Sequence, residues 1–89
     1  MNTYLIGYDL DKPGQDYEDL YKAIKDIGTW WHCLDSTWLI KSNLSAVSIR
    51  DRLMKIMDNN DKLLVARLSN EVAWFGFDGN CSDWLKKNI

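Results

Sequence analysis

Two stretches with helical spacing, each set between short apolar runs, restrict the folding of this chain more than any single residue does. Tyr17, Leu20, Ile24 and Ile27 step by 3, 4 and 3 positions, and Ala46, Ile49, Leu53 and Ile56 repeat the same steps. That spacing lines four apolar side chains along one face of a helix. Gly28 stops the first helix, Asp16, Glu18 and Asp19 suit the positive potential at its start, and Asn43 or Ser45 can cap the second. Around the helices lie runs too short to be helical and rich in aromatic and β-branched residues: 3–10, TWWHCL at 29–34, TWLIK at 37–41, KLLVARL at 62–68 and EVAWFGF at 71–77. Asp11-Lys12-Pro13-Gly14 closes the first run as a loop, and Asp35-Ser36 joins the second and third as a turn or bulge. A short helix from about Ser82 is expected to dock Trp84 and Leu85.

The resulting order places the chain in the α+β class. Its first six elements follow the split βαβ pattern of ferredoxin-like folds, βαββαβ, with an additional C-terminal strand and a short tail helix. With 89 residues, 46% of them hydrophobic, residues 1–89 are expected to form one domain around one core. Both helices then cover one face of the sheet. Trp38, and whichever of Trp30 and Trp31 points away from the helices, enlarge the apolar surface on the other face, and a homodimer would cover it.

Charge gives no global attraction for nucleic acid, because 11 Lys and Arg stand against 13 Asp and Glu for a net charge of -2. Nucleic-acid contact would rest on a local patch such as Lys22, Lys25, Arg50, Arg52 and Lys55, which interleaved acids make easier to read as solvated helix faces. Cys33 and Cys81 are far apart and form no C-x-x-C pair, so free thiols in a reducing cytosol are expected. No apolar run is long enough to span a bilayer and the N-terminus lacks the order of a secretion signal, which leads to the expectation of a cytoplasmic protein without membrane association.

Asp9 is the first candidate for chemistry. It ends the first strand, where a carboxylate is held rigidly and near solvent, as a metal ligand or general base must be. Its alternative role is structural, closing the following loop by accepting hydrogen bonds from the backbone of residues 11–14. Magnesium keeps several waters and uses one or two carboxylates plus substrate phosphate, so Asp9 from each of two copies would suffice. His32 alternates away from Trp31 and Cys33, and an imidazole titrating near neutrality suits a general acid or base; the structural alternative is a hydrogen-bonded ring among aromatics. Asp35 and Ser36 fit turn formation, and no activating base for the Ser36 hydroxyl is fixed by the sequence. The tryptophans can stack bases or fill a core or an interface.

YLIGYDL followed by a loop, a helix ending in Gly28, a hairpin containing Ser36-Thr37-Trp38, and Asn60-Asp61-Lys62-Leu63-Leu64-Val65 ahead of a strand together resemble the second subunit of the CRISPR adaptation pair. The resemblance covers about residues 3–77, with Tyr8-Asp9-Leu10 at the end of strand one and Asp61 before the fourth strand. The virulence-associated protein D group and stand-alone relatives outside CRISPR loci are similar. The resemblance implies a homodimer with first-strand aspartates facing each other across a cleft, and magnesium-dependent cleavage of RNA or DNA in some members but structural DNA binding in others. By position, Asp9 becomes the metal ligand and Ser36 lies near the family's hairpin serine. The chain departs from that pattern where Lys12-Pro13-Gly14-Gln15 replaces a basic cluster after strand one, and in its WWHCLDSTW hairpin. A divergent stand-alone relative therefore fits better than a working adaptation subunit. The alternative from a different class is a non-catalytic protein- or nucleic-acid-binding module of a toxin–antitoxin or phage-defence system.

Overall fold

The computed structural model describes residues 1–11 and 17–89, so the expected loop at Lys12, Pro13 and Gly14 and the helix-start role of Asp16 lie outside the described residues. The elements are β1 (Asn2–Asp9), α1 (Glu18–Ile27), β2 (Thr29–Leu34), β3 (Thr37–Ser42), α2 (Ala46–Met54), β4 (Lys62–Arg67) and α3 (Gly79–Asn88). The strands form one antiparallel sheet in the order β2-β3-β1-β4, with β1 paired to β3 on one side and β4 on the other.

Period-two alternation sorts the sheet residues between two cores. Tyr4, Ile6 and Tyr8 of β1, with Trp38 and Ile40 of β3, face α1 and α2 and bury Leu20, Ile24, Ile49 and Leu53. As the spacing predicts, both helices lie against this face. Ser45 caps α2, its hydroxyl accepting from the Ser48 amide at 3.1 Å. The helix ends two residues short of Ile56, however, so Ile56 is exposed and Met57 packs toward the core in its place. Gly28 follows α1 in extended backbone, and it is needed for space rather than for an unusual φ: a Cβ there would collide with the Lys41 carbonyl oxygen.

The opposite face departs from expectation. Trp31, Leu39 and Leu85 form a second core there, flanked by Leu5, Cys33, Leu68, Trp74, Phe77, Cys81, Trp84 and Ile89. Trp31 is the tryptophan that points away from α1 and α2, whereas Trp38 is buried beneath them. The bare apolar face that called for a homodimer is thus closed by the chain's own C-terminal part. The expected docking of Trp84 and Leu85 by a tail helix is observed, and Thr3 Oγ1 donates to the Asn88 carbonyl at 2.8 Å to hold the end of α3.

Two further expectations are corrected. Residues 71–77 do not form the additional strand. Cys33 and Cys81 are not free thiols: they form a disulfide with Cα atoms 6.3 Å apart across 48 positions. One geometry explains both. Cys33 lies on β2 and Arg67 ends β4, at opposite edges of the sheet. Between the edges lie three strand spacings, about 14 Å. The segment linking β4 to Cys81 therefore crosses the sheet face instead of running along an edge, and Trp74 and Phe77 serve it as packing side chains.

Candidate functional site

Tyr8 turns into the helix-covered core, so the next residue, Asp9, emerges at the end of β1, opposite Lys62 of β4. On the other side of β1 the β2–β3 turn is tied in by the Tyr8 amide, which donates to the Ser36 carbonyl at 3.1 Å. Asp9, Ser36, Thr37, Lys62 and Leu64 consequently border one open depression of about 370 Å³. Asp9 and Ser36, singled out separately in the sequence, are brought together.

Among the described residues, the Asp9 carboxylate has no hydrogen-bond or ion-pair partner. The loop-closing role weighed for it falls to Asp61, whose two carboxylate oxygens accept from the Asp11 amide at 2.7 Å and the Asp58 amide at 2.9 Å. Asp61 thereby ties the chain leaving β1 to the turn entering β4. The depression combines an unengaged carboxylate, a hydroxyl and an ammonium group, which can hold a hydrated cation and a phosphate oxygen side by side. No group of three or more His, Cys, Asp or Glu side chains among the described residues forms a ready metal cage. Asp9 therefore fits magnesium as a single ligand in a water-rich shell, needing phosphate or a second copy to complete it.

His32 is not part of this depression. The pairing runs from Trp31 opposite Leu39 to Leu34 opposite Thr37, leaving His32 and Cys33 both against Trp38 in a bulge. The imidazole lies flat on Trp38, with centroids 3.7 Å apart and an interplanar angle of 11°, and its Nε2 is 3.2 Å from the Asp35 carbonyl oxygen. Tyr21 of α1 closes the cluster, 6.3 Å from His32, 6.0 Å from Trp38 and 6.5 Å from Tyr8 between ring centroids. Trp38 Nε1 donates to the Tyr8 hydroxyl at 3.0 Å. Burial pushes the Tyr8 phenol above its ordinary pKa and neighbouring Tyr21 adds to the rise, while the Trp38 hydrogen bond opposes it. Tyr8 and Tyr21 were missed as members of a polar–aromatic group; the four-residue spacing of Tyr17 and Tyr21 was the available signal.

The basic helix residues behave as surface groups. Arg50 pairs with adjacent Asp51 at 2.9 Å, and Lys25 Nζ lies 4.9 Å from the Trp30 ring centroid.

No family model matches the chain. Among solved structures, the crystal structure of hypothetical protein TT1823 from Thermus thermophilus is similar, with a TM-score of 0.67 over 85% of this chain and 92% of that one. The two share 18% sequence identity, so the likeness is one of fold. No helix among the described residues is long and apolar enough to cross a membrane.

Proposed function

We propose that this chain is a ferredoxin-like, CRISPR-adaptation-like homodimer that hydrolyses phosphodiester bonds in RNA or DNA with magnesium, as a divergent stand-alone relative of that family. The observation that carries the reading is the exposed, unengaged carboxylate of Asp9 sharing one depression with Ser36 and Lys62. In this reading Asp9 would be the protein ligand of the cation, Lys62 would neutralise a phosphate oxygen, and Ser36 would orient the same phosphate by hydrogen bonding. A magnesium ion bound there would supply an activated water and charge stabilisation at the phosphorus oxygens. His32, stacked under its own turn, keeps the hairpin in shape and does not reach the phosphate.

The dimer has support in charge placement. Among the described residues no strand pairs with the outer edge of β4, whose ends are the basic Lys62 and Arg67. The segment 71–78, EVAWFGFD, is strand-like in composition and acidic at both ends. Antiparallel addition of 71–78 from one copy to β4 of another would bring Glu71 toward Arg67 and Asp78 toward Lys62. Two-fold symmetry would then supply the second Asp9.

Labelled RNA and DNA incubated with wild type and Asp9→Asn, in magnesium, manganese or chelator, test the reading. Cleavage by wild type that needs metal and disappears in Asp9→Asn is expected; equal cleavage by both proteins removes Asp9 from the chemistry. The second reading, a non-catalytic module that binds a protein partner in a toxin–antitoxin or phage-defence system, is favoured by one observation. Val47 and Leu64 are exposed beside the open β4 edge, at a groove also lined by Ala46, Leu63 and Val65. Absence of cleavage under every metal condition would put that reading first.

A further inference from the structure

We infer that the Cys33–Cys81 disulfide is a redox latch, which holds residues 68–78 as a strap across the chain's own sheet and, once reduced, frees 71–78 to join the β4 edge of a second copy. The inference rests on the homodimer reading above and adds its control. Asp78 is only three residues from Cys81, and a chain spans at most about 3.3–3.6 Å per residue. While Cys81 is bonded to Cys33, its Cα stays 6.3 Å from that of Cys33 on β2, and Asp78 stays within about 10 Å of Cys81. The strap starts from Arg67 at the β4 edge, so its course across the sheet is fixed at both ends.

The remaining attachments of the strap are non-covalent: Trp74 and Phe77 pack against the second core, Phe77 edge-on to Trp31 with ring centroids 5.0 Å apart, and a few hydrogen bonds lie beside them. Trp31 Nε1 donates to the Cys81 carbonyl at 3.0 Å, Trp74 Nε1 donates to Ser82 Oγ at 3.2 Å, and Asp78 accepts from the Cys81 amide at 2.9 Å. Phe75 is 97% exposed, so the strap leaves one of its large apolar side chains in water. Gly76 has φ of 89°, a left-handed conformation that no strand uses, and nothing lies within 4 Å of the position of a Cβ there. The strap is thus a conformation that this sequence adopts against its strand propensity, under a covalent tether.

Reduction consumes one dithiol: its thiolate attacks one sulfur of Cys33–Cys81, the mixed disulfide is resolved by the second thiol, and two cysteine thiols and one cyclic disulfide result. Two electrons and two protons pass from the dithiol to the protein.

The test uses the full chain, air-oxidised with the disulfide verified by mass, and the same chain in dithiothreitol. Light scattering across micromolar concentrations gives the oligomeric state, and far-UV circular dichroism reports the fold. A monomer when oxidised and a folded dimer when reduced are expected, with at least a ten-fold tighter association constant. Gly76→Val meets no atom and is strained only in the strap, so it should tighten the reduced dimer further. Glu71→Lys should weaken it about ten-fold. Dimer in both redox states overturns the latch and leaves the homodimer standing; monomer in both overturns both. A reduced chain that loses its folded spectrum, or a reduced dimer indifferent to both variants, overturns the latch as well.

Discussion

Tyr8 shows how one residue can link the core to solution conditions. Burial raises its phenol pKa above the ordinary value of 10.0, so the folded chain keeps a proton that the unfolded chain releases. The stability associated with this group is complete below pH 10 and falls as pH rises through 10 toward the raised folded value. Urea unfolding at a series of pH values should show that alkaline decline, and Tyr8→Phe should flatten it. At neutral pH the same variant should lose about 1–3 kcal/mol, because buried Trp38 Nε1 is left without its acceptor. Leu53 is fully buried between α2 and the sheet, and truncation to alanine should cost about 2–5 kcal/mol in the same assay. At Gly28 even one methyl group meets the Lys41 backbone, so Gly28→Ala should destabilise by displacing β3 from the end of α1. The aspartates are the least legible residues at this scale. Asp9 and Asp61 are the same residue type next to turns, and only the strand pairing that places Asp61 between two backbone amides decides which closes the loop.

Elements were legible where their cause is local. The 3, 4, 3 spacing of α1 and α2 and the tight turn between β2 and β3 depend on neighbouring residues, and each element appears, though α2 stops short of Ile56. Residues 71–77 have the aromatic and β-branched composition of a strand, but composition gives no information on whether an edge is within reach. A disulfide between residues 48 positions apart decides that question from outside the segment. In the chain-entropy description, a loop of this length gains about 4 kcal/mol from closure. Cys33→Ser should therefore lower the unfolding free energy measured in urea by an amount approaching that value, with the loss concentrated in hydrogen-exchange protection of α3 rather than of β1.

At the scale of the whole molecule, two cores lie on either side of a single sheet, and α3 makes the second one self-sufficient. A dimer is consequently not needed to hide the sheet face, and any association should run through the sheet edge and the depression at Asp9. Cross-linking between single cysteines placed at Leu64 and Phe75 in a chain lacking Cys33 and Cys81 should join two copies if 71–78 adds to β4. Absence of that product at concentrations where light scattering reports dimer would place the contact elsewhere on the surface.

β1 is an interior strand, and its two neighbours arrive from very different distances along the chain. It meets β3 within one hairpin-sized excursion past α1, but its pairing with β4 joins Asp9 to Lys62 and Tyr4 to Arg67. During synthesis, at about 5–20 residues per second, one side of β1 therefore waits some 3–10 s for its partner strand to be made. Through that interval the open side of Tyr4, Ile6 and Tyr8 is a sticky, unfinished edge on the ribosome, and a chaperone that binds short apolar strands would find its natural target in the first nine residues.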